Sequence, residues 1–61
     1  LVLLGVVYDP AAPRALIRPA AGGPTEVVKV GDQVGGEKVV EIRKDGIIVE
    51  VEGNPVTVPL P

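Results

Sequence analysis

Two apolar-alternating runs flank Asp45-Gly46, and the second of them runs straight into a further turn signal, Gly53-Asn54. Asp-Gly between alternating hydrophobic residues is the strongest short-range signal for a β-hairpin, and Gly-Asn also suits a tight turn. Residues 38–60 therefore read as a three-stranded meander. With Asp45-Gly46 and Gly53-Asn54 as two-residue loops, Ile42 faces Val49, Val40 faces Val51, Val51 faces Val56, Val49 faces Val58 and Ile47 faces Leu60. One face then collects Val40, Ile42, Ile47, Val49, Val51, Val56, Val58 and Leu60. The other carries Glu41, Arg43, Ile48, Glu50, Glu52, Thr57 and Pro59. Side chains alternate with period two, so a slip of one residue would put the apolar set in water. In this register Glu41 opposes Glu50, a like-charge conflict that a diagonal Arg43 would relieve.

The rest of the chain is short. At 61 residues it allows one small domain, which buries only about 60% of its unfolded surface. It has no Cys, so neither a disulfide nor a thiolate metal site can supplement the core. Val, Ile and Leu must supply it. The chain is rich in β-branched residues, which favours strands over helices, has no Phe, Trp, Met or His, and is cut into short pieces by eight Gly and seven Pro.

Residues 1–8 read as a first strand with two apolar faces. Leu1, Leu3 and Val7 point one way, and Val2, Leu4, Val6 and Tyr8 the other. Gly5 inside it suggests a bulge or a close backbone approach. Such a strand is covered either within the chain or by a partner. Asp9-Pro10-Ala-Ala-Pro13 is a turn. Residues 14–18 alternate as a second, antiparallel strand, with Ala15 and Ile17 inward and Arg14, Leu16 and Arg18 outward. Residues 19–25, with two Pro and two Gly, form a loop. Residues 26–30 are a short third strand with Val28 and Val30 on one face. Gly31-Asp32 is a turn, and residues 33–37 connect to the meander. The fold class is all-β: two three-stranded antiparallel sheets packed as a small sandwich or partly open barrel.

The chemistry of most catalytic sites is missing. No His, Cys or Lys–carboxylate constellation suggests nucleophilic or acid–base work, and no cofactor is expected. No spacing resembles a calcium loop, and Gly22-Gly23 and Gly35-Gly36 lack the ending of a phosphate loop. Asp32 and Asp45 read as turn residues. Tyr8 is the single aromatic residue, too few for a proline-peptide groove or a base-stacking platform. The net charge of −2 argues against nucleic acid as a partner, although a small barrel-like nucleic-acid-binding module is the competing class. Arg14 and Arg18 share a face beside the outer row of the first strand. They are either solvated charges or the basic rim of an apolar strip, the anatomy of a modest protein interface. The candidate partner-binding residues are Val2, Leu4, Val6, Tyr8, Arg14 and Arg18.

The order of these pieces resembles the periplasmic homology region of the type II secretion system inner-membrane protein C. That family runs as an early Leu-x-Leu-x-Gly strand, a Pro-x-Ala-x-Ile-type strand, a Val-Gly-Asp turn, a Gly-Gly connector and an Ile-x-x-Asp-x-Val-x-Leu hairpin. Here these are Leu1-Val-Leu3-Leu-Gly5, Arg14-Ala15-Leu-Ile17, Val30-Gly31-Asp32, Gly35-Gly36 and Ile42-Arg-Lys-Asp45-Gly-Ile47-Ile-Val49. Val28 departs from a frequent aromatic residue, and Val49 and Val51 from Leu; all three keep the core apolar. The resemblance implies that residues 1–61 are a non-catalytic domain, part of a larger membrane-anchored protein. It implies a periplasmic location, an upstream helix in the inner membrane, and docking onto the first periplasmic domain of the outer-membrane secretin. Other inner-membrane platform components are possible partners. The related domain of a type IV pilus assembly lipoprotein stays open as an alternative. The chain starts at Leu, consistent with a piece of a longer protein, and residues 1–8 are far too short for a membrane helix, which needs about 20 residues.

Overall fold

The computed structural model describes residues 1–19 and 22–61. The loop expected over residues 19–25 includes Ala20 and Ala21, which lie outside the described residues. The described residues form seven strands and no helix: β1 (Val2–Val7), β2 (Arg14–Arg18), β3 (Glu26–Lys29), β4 (Gln33–Val34), β5 (Glu37–Arg43), β6 (Gly46–Val51) and β7 (Asn54–Pro59). They make two antiparallel meanders, a three-stranded sheet in the order β1-β2-β3 and a four-stranded sheet in the order β4-β5-β6-β7. The sheets face each other and do not close into a barrel.

The core is supplied equally by the two layers. Leu3, Ala15, Ile17 and Val28 come from the first sheet, and Val39, Ile42, Ile47 and Val49 from the second. Leu1, Val6, Val34, Val51, Val58 and Leu60 pack around them. Backbone bonds also tie the turn after β3 to β5. Gly31 N–H donates to Val39 O at 2.8 Å, and Val39 N–H donates to Asp32 O at 2.9 Å. The Asp32 carboxylate accepts the Lys29 backbone N–H at 3.1 Å, which holds the turn between them.

The fourth strand of the second sheet comes from residues expected to be a connector. Val34 pairs with Glu37, so Gly35-Gly36 is a two-residue hairpin loop. Both glycines have positive φ, 55° and 85°, the demand of a type I′ turn. At the end of β3, Val28 is buried as expected, but Val30 has left the strand and is exposed.

Both hairpins of the meander are displaced by two residues from the expected register. Arg43 pairs with Gly46, so the first loop is Lys44-Asp45, and Ile42 opposes Ile47. Val51 pairs with Asn54, so the second loop is Glu52-Gly53, and Val49 opposes Val56 while Ile47 opposes Val58. Gly46 is a strand residue flanked by Arg43 and Pro59. A Cβ there would meet the Val58 carbonyl oxygen at 2.6 Å, so this glycine permits a close approach of β7. A shift of two preserves the faces, because side chains alternate with that period. Ile42, Ile47 and Val49 are accordingly buried, while Val56, on the same face but at the sheet edge, is exposed.

Val40 is the exception, because β5 carries a bulge between Val39 and Glu41. Val39 takes the core position opposite Val49, and Val40 turns outward. The bulge also removes the expected conflict between Glu41 and Glu50: Glu41 opposes Ile48, and Lys38 opposes Glu50.

Candidate functional site

β1 has the same device as β5. Leu3 opposes Ile17, the register then shifts, and Gly5 opposes Leu16. The extra residue, Leu4, breaks strict alternation, so Leu3 and Val6 both point toward the core while Val7 points away. This corrects the expected outer row of Val2, Leu4, Val6 and Tyr8. Val6 packs against the core, and the outward position belongs to Val7. Tyr8 lies near the β5–β6 hairpin loop, with Lys44 Nζ 5.7 Å from its ring centroid, within cation–π range. The Gly5 signal for a bulge was visible; its effect on the residues after it was the missing step.

The outward face of the first sheet follows from its register. Val2 stands beside Arg18, Val7 beside Arg14, Arg14 beside Lys29, and Leu16 beside Val27. Val2, Leu4, Val7 and Val27 are exposed, and Leu16 is half-buried among them. Arg14, Arg18 and Lys29 frame this apolar strip, and no acidic residue occupies an outward position on the three strands. Val27 and Lys29 were not among the expected site residues. Their signal was the alternation of β3, where inward Val28 turns its two neighbours out.

The four sheet edges differ. β4 has two residues. β3 has four, begins at Glu26 and ends at Lys29, and runs into the turn bonded to Val39. β7 carries Pro55 and Pro59. β1 offers six residues with neither charge nor proline, and only β2 pairs with it among the described residues. Long uncharged edges without proline are the ones that accept another strand.

No family model, curated protein or solved structure matches the chain.

Among the described residues no polar or charged side chain is buried, and no group of three or more His, Cys, Asp or Glu is placed to hold a metal. Nor is any helix there long and apolar enough to cross a membrane. The ion pair between Arg43 and Glu41 lies on the exposed face of the second sheet. Hydrogen bonding to the Glu41 carboxylate, with its charge, raises the Arg43 pKa further, which leaves a guanidinium that is charged at every physiological pH. Near it, a cleft of about 100 Å³ is lined by Arg43, Asp45, Gly46, Ile47, Ile48, Thr57 and Pro59. A larger groove of about 330 Å³ lies between the β1–β2 loop and the end of β3, lined by Ala11, Ala12, Pro13, Arg14, Lys29 and Val30.

Proposed function

We propose that this chain is a non-catalytic docking domain that receives a protein partner on the outward face and free edge of β1. The observation that carries the reading is the strip of Val2, Leu4, Val7, Leu16 and Val27 framed by three cations. A solvated sheet face normally alternates to polar residues, whereas this one exposes contiguous apolar side chains, the anatomy of an interface centre with a polar rim. The edge of β1 adds unpaired backbone groups for strand addition.

The partner follows from the order of the sequence pieces that resembles the periplasmic homology region of the type II secretion inner-membrane protein C. On that resemblance the partner is the first periplasmic domain of the outer-membrane secretin. The domain then works in the periplasm and couples an inner-membrane platform to the outer-membrane channel. A face of this size supports a small interface and weak to intermediate affinity.

Titration calorimetry of the chain against that secretin domain tests the reading. Leu4→Asp and Val7→Asp place a charge in the strip and should weaken binding at least about tenfold, the effect of losing a central apolar contact. Their thermal unfolding should stay close to that of the parent, because both positions are exposed. Val6→Asp is unsuitable, since Val6 packs on the core and the change would unfold the domain. Equal affinity for the parent and both variants would refute the surface.

A further inference from the structure

We propose that the groove between the β1–β2 loop and the end of β3 is a recognition site for an acidic peptide segment, a carboxylate followed or preceded by an apolar side chain. Its walls are Ala11, Ala12, Pro13 and Val30, all small or apolar, and its cations are Arg14 and Lys29. At about 330 Å³ it has room for one or two side chains of a peptide.

The charge arrangement selects the ligand. Arg14 and Lys29 are direct cross-strand partners, and like charges so placed repel each other. Neither forms an ion pair with any described residue. The acidic residues of the two turns that border the groove are engaged with backbone. The Asp9 carboxylate accepts the Ala11 N–H at 3.0 Å, and the Asp32 carboxylate accepts the Lys29 N–H at 3.1 Å. Both carboxylates shape the turns that border the groove, and neither forms an ion pair with Arg14 or Lys29. A guanidinium beside an ammonium binds a carboxylate well, the first through its planar fork and the second as a point charge. The apolar walls add a seat for a neighbouring side chain. A nucleic-acid strand would require a track of cations and stacking aromatics, and the opposite sheet is acidic.

The groove shares Arg14 and Lys29 with the rim of the docking face, but its apolar walls are different residues and it does not depend on β1 receiving a strand. Its test is a titration of the isotope-labelled chain with acetyl-Leu-Asp-Leu-amide, followed by amide nitrogen–proton correlation spectra at low salt. Saturable shifts are expected at the Ala11, Ala12, Arg14, Lys29 and Val30 amides. They should be absent with the Asn analogue, which keeps the shape and removes the charge, and should shrink as salt rises. Lys29→Gln, at an exposed position, should bind the peptide about threefold to fivefold more weakly with unchanged thermal unfolding. Leu4→Asp should bind the peptide as the parent does. No shifts at these amides, or equal shifts with the Asn analogue, would overturn the assignment. Stronger shifts at the same amides with a short oligothymidine would overturn it in favour of a nucleic-acid site. Peptide binding without secretin binding would leave the groove standing and remove the docking face; the reverse result would do the opposite.

Discussion

Val39 stands directly across from Val49 at the centre of the four-stranded sheet, and Val40 is the residue squeezed out beside it. Val39 is 2% exposed and Val40 36%. The two valines are adjacent, chemically identical and energetically unequal. Val39→Ala removes two buried carbon atoms and leaves a cavity, and should cost about 2 kcal/mol. Val40→Ala should cost less than about 0.5 kcal/mol. Urea unfolding of both variants checks this. A regular strand without the bulge would reverse the order.

The faces of this protein were legible in its sequence, and the registers were not. Alternation along residues 40–60 is a parity signal, and it survives a two-residue displacement of both hairpins, so Ile42, Ile47 and Val49 were identified as core residues while their partners were misassigned. The turn dipeptides misled because each glycine and its neighbour have other uses. Gly46 admits the Val58 carbonyl, and Asn54 opens β7. The errors of face arose at the two bulges, which convert strict alternation into an in-out-out-in pattern at Leu3–Val6 and Val39–Ile42. Gly5 hinted at the first bulge; Val39-Val40, two apolar residues in a row, carried no hint of which one would be expelled. Alternation gives the outward face of Val2, Leu4, Arg14 and Arg18 correctly, whereas the bulge exchanges Val6, expected outward, with Val7, expected inward.

Gly46→Ala tests the close approach of β7. An added methyl group would sit 2.6 Å from the Val58 carbonyl oxygen and 3.0 Å from Pro59 Cα, both backbone atoms that cannot swing aside. The strand must shift, and the Leu60 N–H bond to Asp45 O, 2.9 Å, shifts with it. The expected loss is about 1–3 kcal/mol, in the range of overpacking. Thermal unfolding reads it. Stability equal to or above the parent would mean that β7 does not lie so close.

Glu52 is the single non-glycine residue with positive φ among the described residues, at 52°, and Gly53 follows at 81°. The pair forms a type I′ loop, which favours Asn or Gly at the first position. Glu52→Asn should therefore stabilise the domain by about 0.5–1 kcal/mol by relieving a left-handed conformation that glutamate adopts at a cost. A rise in the urea midpoint is the expected outcome, and a fall would contradict the turn assignment.

Arg14 and Lys29 repel each other across β2 and β3. Lys29→Glu turns the pair into an attractive one. Because both positions are exposed, the gain should be small, about 0.3–1 kcal/mol, and should fade in high salt. Chemical unfolding at low and high salt compares the two. A repulsion retained by the native protein at the expense of stability is what a site for an acidic ligand requires, so a stabilised Lys29→Glu variant that loses the acidic peptide would join both observations.

Pro55 and Pro59 occupy the same side of β7, and the turn shows why. In a two-residue hairpin the residues bordering the loop exchange backbone hydrogen bonds, and bonded pairs then alternate along the ladder. Val51 with Asn54, Val49 with Val56 and Ile47 with Val58 are thus the bonded pairs. Residues 55, 57 and 59 direct their backbone toward the open edge. Proline at two of these three positions removes two of the three donors an incoming strand would use, leaving Thr57. Replacing both with threonine keeps the strand and restores a continuous edge. The double variant should associate at concentrations where the parent is monomeric, as read by sedimentation velocity, while single variants should associate less. A double variant that sediments as the parent does would show that β7 is protected by something other than its prolines.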